Sequence, residues 1–299
     1  MQDLFTLRDN DSLMNPTWLD TREYPFRPHY FTVPAGKMHY VDEGSGDPIV
    51  FVHGNPAWSF EFRHLIKAFA PTNRCIAPDL IGFGLSDKPE DWTYLPQDHA
   101  MNLGLLLASL DLDRITLVVG DWGGPIGLSY AIGHPERVRN IVITNTWLWP
   151  VESDWHFRAF SWFMDGPIGR WLIQHRNFFA KRMVPAAFGN RSKLTEKIHR
   201  HYLMPLANPK ERKGCRVFPG QITGSSAWLR SLWERRNLLS GKNILIAWGM
   251  MDNSFRKKEM DRWVEAFPRA RLVRFEYTGH FVPEESPDDL VREMRDLID

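Results

Sequence analysis

The chain has 299 residues, of which 43% are hydrophobic and 24% charged, with a formal net charge of +1. That length can bury a large core, often as one domain with an insertion, and the near-neutral balance excludes the basic character of a nucleic-acid-binding protein. Two cysteines, Cys75 and Cys215, lie 140 positions apart with no Cys or His in ligand spacing, so neither a disulfide framework nor a zinc site is expected.

The chain begins MQDLFTLRDNDSLMNP, with acids where a signal peptide needs a basic and then an apolar stretch. No run of about 18 apolar residues follows. The expectation is a cytoplasmic protein with no membrane association.

Short β-branched runs then recur in chain order. His29–Val33 and Lys37–Asp42 alternate in character and stand close together, as an antiparallel edge hairpin does. Ile49–His53, Arg74–Pro78, Ile115–Val119, Asn140–Thr144, Ile244–Trp248 and Leu272–Glu276 complete eight predicted strands. IVFVH, ITLVV, NIVIT and ILIAW are apolar at nearly every position, which is how strands covered on both faces of a parallel sheet read. Helical patterns over Ser59–Phe69, Asp98–Leu110, Gly123–Ile132, Lys257–Phe267 and Ser286–Leu297 intervene. Strand–helix alternation predicts an α/β fold with a mostly parallel, doubly wound sheet, whose ligands bind beyond the carboxyl ends of the strands.

The alternation stops over residues 150–236, which hold no convincing strand. From Trp147 to Phe188 there are 11 Phe and Trp in 42 residues, and residues 150–236 contain 16 Lys and Arg against 6 Asp and Glu. This stretch reads as a helical cap inserted after the sixth strand, with residues 1–149 and 237–299 as the main domain. Its positive charge faces a main domain of opposite sign, so a homo-oligomer is plausible on electrostatic grounds.

Three strand ends carry chemistry. After ITLVV comes Gly120-Asp121-Trp122-Gly123-Gly124, the strand–sharp turn–helix layout of a nucleophile elbow with Asp at its centre. A carboxylate at a helix N-terminus is favoured in its ionised form. After IVFVH comes His53-Gly54-Asn55-Pro56, the loop that supplies one oxyanion N–H in such folds. By position the two backbone donors are Asn55 and Trp122. After RLVRFE comes Tyr277-Thr278-Gly279-His280, where the histidine base of this architecture sits. The sixth strand ends without a carboxylate at Asn145. The seventh ends Trp248-Gly249-Met250-Met251-Asp252, so Asp252 is assigned to orient His280.

HGNP, GDWGG, the WGMMD turn and TGHFVPEESP together resemble the haloalkane dehalogenases of the α/β-hydrolase superfamily. The likeness is to the branch with its acid after the seventh strand and Asn and Trp as halide ligands. It implies a sheet of eight strands with an inserted helical cap, no cofactor and no metal. It also implies that Asp121 attacks a halogenated alkane to form an alkyl ester, which His280 and water then hydrolyse. The Asn55 amide and the Trp122 indole would hold the halide ion, and the aromatic cap would exclude water and hold the alkyl chain. Gly120 departs from the pattern, which places a larger polar residue such as Gln or His there. Two alternatives share parts of the pattern. An epoxide hydrolase would need cap tyrosines to protonate the ring oxygen, and the cap has only Tyr202. A non-catalytic relative binding a small apolar ligand would not need a complete triad.

Overall fold

The computed structural model describes residues 16–298. The amino-terminal run read above, residues 1–15 of the main-domain assignment and Asp299 lie outside them.

Eight strands form one sheet: β1 His29–Val33, β2 Gly36–Glu43, β3 Pro48–Val52, β4 Arg74–Pro78, β5 Ile115–Asp121, β6 Val138–Thr146, β7 Asn243–Gly249 and β8 Arg271–Phe275. Their order is β1-β2-β4-β3-β5-β6-β7-β8. β2 pairs antiparallel with both β1 and β4, and every other neighbour is parallel. The eight predicted strands are all present, with ends shifted by a residue or two; His53 falls just beyond β3.

The continuous apolar runs are explained by the two faces. Val50 and Val52 of β3 join one buried cluster with Leu117 and Val119, while Ile49 and Phe51 join the other with Val118 and Val142. Successive strand residues point to opposite faces, so a strand covered on both must be apolar throughout. Each such side chain contributes about 1.5–3 kcal/mol on burial. Helices α1 Arg63–Phe69, α11 Val282–Glu285 and α12 Pro287–Ile298 supply the second cluster. Helices α2 Pro96–Ser109, α3 Gly123–Gly133 and α10 Lys257–Ala266 supply the first. The predicted helix Ser59–Phe69 divides into a 3-10 turn, Ser59–Phe62, followed by α1.

Between β6 and β7 lie α4 Trp155–Asp165, α5 Pro167–Arg176, α6 Val184–Ala187, α7 Glu196–Leu203, α8 Lys213–Gly224 and α9 Ser226–Glu234. Phe157, Met164, Ile173, Phe218 and Leu229 carry the first apolar cluster up into these helices. The aromatic run splits. Trp147, Trp149, Phe157, Phe179 and Phe188 are buried, whereas Trp155, Trp162, Phe163 and Trp171 are exposed, Trp162 to 81%. Only the buried members of this run are placed to exclude water. α4 buries Phe157, Ser161 and Met164 along one stripe, with Phe160 packed at its edge, and turns Trp155, Trp162 and Phe163 outward.

Candidate active site

β5 leads into Asp121 and α3 follows at Gly123, as the elbow layout requires. Asp121 has φ of 47°, a left-handed conformation that costs a non-glycine residue about 1–2 kcal/mol. Such strain persists only where the surroundings impose it. A Cβ on Gly123 would stand 1.9 Å from the Val52 carbonyl oxygen, and one on Gly54 would stand 2.2 Å from the Asp121 carboxylate. The chain can close around the turn only because both are glycine.

The Asn55 backbone N–H donates to Asp121 Oδ1 at 2.7 Å. Burial raises the Asp121 carboxyl above its ordinary pKa, while His280 and the backbone N–H groups of Asn55 and Trp122 pull it down. The two expected oxyanion donors thus act on one carboxylate.

His280 Nδ1 lies 2.7 Å from Asp252 Oδ2, and its Nε2 lies 3.9 Å from Asp121 Oδ2. The three predicted triad residues come together from the ends of β5, β7 and β8. The ring of Phe255 stacks on the imidazole, centroids 5.7 Å apart. Burial lowers the His280 pKa, but the Asp252 charge and hydrogen bond, then the Asp121 charge, outweigh it and raise it to about 9.

Asp252 is itself held. Its Oδ1 accepts from the Ser254 N–H at 2.7 Å and its Oδ2 from Asn145 Nδ2 at 3.0 Å. Asn145 also bridges Gly249, donating to its carbonyl at 2.9 Å and accepting from its N–H at 2.7 Å. Reading the sixth strand end only for a carboxylate missed this amide. Behind His280, its N–H donates to the Ala187 carbonyl of α6 at 2.8 Å. A Cβ on Gly279 would come within 2.1 Å of that same oxygen.

The Trp122 indole is buried, stacked on Phe218 at 5.0 Å and edge-on to Trp147 at 4.6 Å. Among the described residues, neither the Trp122 indole N–H nor the Asn55 side-chain NH2 makes a hydrogen bond, and the Asn55 side-chain oxygen and the Trp147 indole N–H are buried without one. Neutral N–H donors left free by the protein are what an anion needs in an apolar setting.

A cavity of about 10 Å³, room for about one water, adjoins the elbow, with Asn55, Glu61, Gly120, Asp121, Thr144 and His280 in its walls. Glu61 has no counterpart in the sequence reading. Its only signal there is a lone acid inside the apolar run AWSFEF. The turn that carries it is anchored by the Ser59 N–H, which donates to Asp79 Oδ1 at 2.8 Å. Burial raises the Glu61 pKa to about 8. Tyr202 is buried, and its hydroxyl donates to Glu284 at 2.9 Å. Among the described residues no cluster of three or more His, Cys, Asp or Glu is arranged to hold a metal ion.

An alpha/beta hydrolase fold family model matches residues 47–287. Haloalkane dehalogenase 2 of Mycobacterium bovis is 39% identical over 271 residues, covering 90% of this chain and 94% of that protein. The chain belongs to the α/β-hydrolase family of the haloalkane dehalogenases. The family places it among hydrolytic enzymes. The haloalkane dehalogenase DbeA from Bradyrhizobium elkani superposes with a TM-score of 0.83 at 25% identity, covering 91% of this chain and 97% of that one. A second similarity is to the cis-3-alkyl-4-alkyloxetan-2-one decarboxylase of Shewanella oneidensis, 33% identical over 92% of this chain and 89% of that protein. Among the described residues no helix is long and apolar enough to cross a membrane.

Proposed function

We propose that the protein hydrolyses haloalkanes to an alcohol, a halide ion and a proton through a covalent ester on Asp121. The observation that carries this is the aspartate at the elbow, its Oδ1 on a backbone donor and its Oδ2 3.9 Å from an imidazole already paired with Asp252.

Asp121 attacks the halogen-bearing carbon, the carbon–halogen bond breaks, and the halide leaves with its electron pair. The Trp122 indole N–H and the Asn55 amide receive it. Hydrogen bonds to a charged acceptor contribute about 1.5–3 kcal/mol each, and they strengthen as charge develops on the departing atom. A carboxylate suits this step because its alkyl ester keeps a carbonyl that water can attack; a serine would leave an ether.

Forming the ester consumes the Asp121 charge, which removes one of the influences holding a proton on His280. The imidazole can then take a proton from water as hydroxide adds to the ester carbonyl. The oxyanion rests on the Asn55 and Trp122 backbone N–H groups, the alcohol departs with a proton, and the carboxylate is restored. In this reading residues 150–236 act as the cap, residues 1–149 and 237–299 as the main domain, and no cofactor takes part.

Two alternatives are separable. An epoxide needs its ring oxygen protonated, and the Tyr202 hydroxyl is engaged with Glu284. The likeness to oxetan-2-one decarboxylases favours a second reading, in which a strained lactone is opened by the same aspartate. The test is a brominated alkane incubated with the protein. Bromide release with acidification supports the dehalogenase reading. No bromide across chain lengths, with carbon dioxide evolved from an oxetan-2-one, would replace it with the second. Trp122→Phe and Asn55→Ala should each slow bromide release by roughly tenfold or more, and unchanged rates would remove them from the halide site.

A further inference from the structure

Glu61 is a buried carboxylic acid with no side-chain hydrogen bond or ion pair among the described residues. Its unpaired oxygens are not among the atoms sealed from solvent; they open onto space that a water can occupy. It is aimed into the cavity that also touches Asp121, Thr144 and His280. Gly120 and Thr144 line the same cavity and pack closely, a Cβ on Gly120 standing 2.6 Å from Thr144 Oγ1. The Glu61 carboxyl enters from the facing turn.

We propose that Glu61 holds the water that hydrolyses the Asp121 ester, an assignment that rests on the covalent reading above. The attacking water gives one hydrogen to His280 Nε2 and directs a lone pair at the Asp121 carbonyl carbon. Its second hydrogen needs an acceptor, and the Glu61 carbonyl oxygen supplies one from across the cavity. Balance is simple: the proton taken by His280 goes to the leaving alcohol oxygen, the water's other proton leaves the re-formed Asp121 carboxyl for solvent, and Glu61 ends as it began.

The acid form of Glu61 is the competent one. The charged groups that bear on it are His280 after β8, Asp121 on the elbow and Glu284 of α11. Tyr202 of α7 feels its charge, and Arg63 beside it is already bound to Glu284. A second negative charge in the cavity would oppose the oxyanion growing on Asp121 and would keep the proton on His280. Burial raises the Glu61 pKa to about 8, so ester hydrolysis should decline as pH rises through that value.

The experiment separates the two half-reactions by rapid quench with a brominated alkane, comparing the wild type with Glu61→Leu and Glu61→Gln, each checked for folding by circular dichroism. In Glu61→Leu the first-turnover bromide burst should stay within about twofold of wild type, while steady-state turnover falls about tenfold, the loss of one good hydrogen bond. Alkylated Asp121 should then accumulate and be visible by mass spectrometry. Glu61→Gln keeps a carbonyl acceptor and should recover part of the rate, without the alkaline decline near pH 8. Wild-type turnover in Glu61→Leu, equal loss of burst and turnover in a folded variant, or an alkaline decline that persists in Glu61→Gln would overturn the assignment while leaving the dehalogenase reading intact. No bromide from the wild type would overturn both.

Discussion

Arg63 and Glu284 form a buried bidentate ion pair, with both nitrogen–oxygen distances at 2.5 Å. Arg63 lies two residues beyond Glu61, and Glu284 four beyond His280. The pair therefore fixes the wall carrying one carboxyl against the loop carrying the imidazole. Tyr202 adds its hydroxyl to the same carboxylate.

Removing one partner strands a charge in the core. Arg63→Met should cost about 3–5 kcal/mol of stability, measured by urea unfolding, because the buried Glu284 charge is left with only the Tyr202 hydroxyl to meet it. The double variant Arg63→Met with Glu284→Met should recover most of that loss. A single variant within about 0.5 kcal/mol of wild type would mean the pair carries no structural weight.

Asp121→Asn removes a negative charge that favours the His280 imidazolium. The His280 pKa, raised to about 9 in the resting protein mainly by Asp252, should fall in this variant when followed by NMR titration. A raised pKa means that the proton is held up to that pH; lowering it makes the neutral base available closer to pH 7. An unchanged titration would break the proposed link between ester formation and the onset of base catalysis.

Asn145 holds the Asp252 turn through three hydrogen bonds without touching His280. Asn145→Ala should lower turnover about tenfold and cost about 1–3 kcal/mol of stability. Asp252→Asn should lower turnover by about 10³–10⁴-fold, because it removes the charge that stabilises the imidazolium. The reverse order would move the acid role to the sixth strand end.

Phe218 covers the Trp122 indole and is itself stacked against His99 and tilted against Phe83. With room for about one water beside the elbow, the length of alkyl chain accepted should depend on this ring. Phe218→Val should raise kcat/KM for long bromoalkanes relative to short ones, at a stability cost of about 2–4 kcal/mol. An unchanged ratio would place the alkyl site elsewhere.

The sheet and the elbow were legible because they are local. A strand buried on both faces is apolar at every position, and Gly123 and Gly124 beside Asp121 announce a turn too tight for side chains. The three residues proposed as a triad could be picked out because each sits at a strand end. Glu61 was not legible: in AWSFEF it reads as a solvated helix position, and only the fold brings it opposite His280. Asn145 was seen but judged for the charge it lacks rather than the amide it has. Which aromatic residues of the inserted helices face inward depends on how α4 is rotated against α8, and no spacing in the sequence states that rotation.

One contact has a mechanical meaning. The backbone of Ala187 in α6 carries the N–H of His280, and Gly279 has no room for even a methyl group against it. Were the inserted helices to swing open as a rigid lid, they would drag the imidazole out of register with Asp121. In the proposed reading α6 stays clamped as the fixed jaw of the site, and substrate and alcohol pass without its moving.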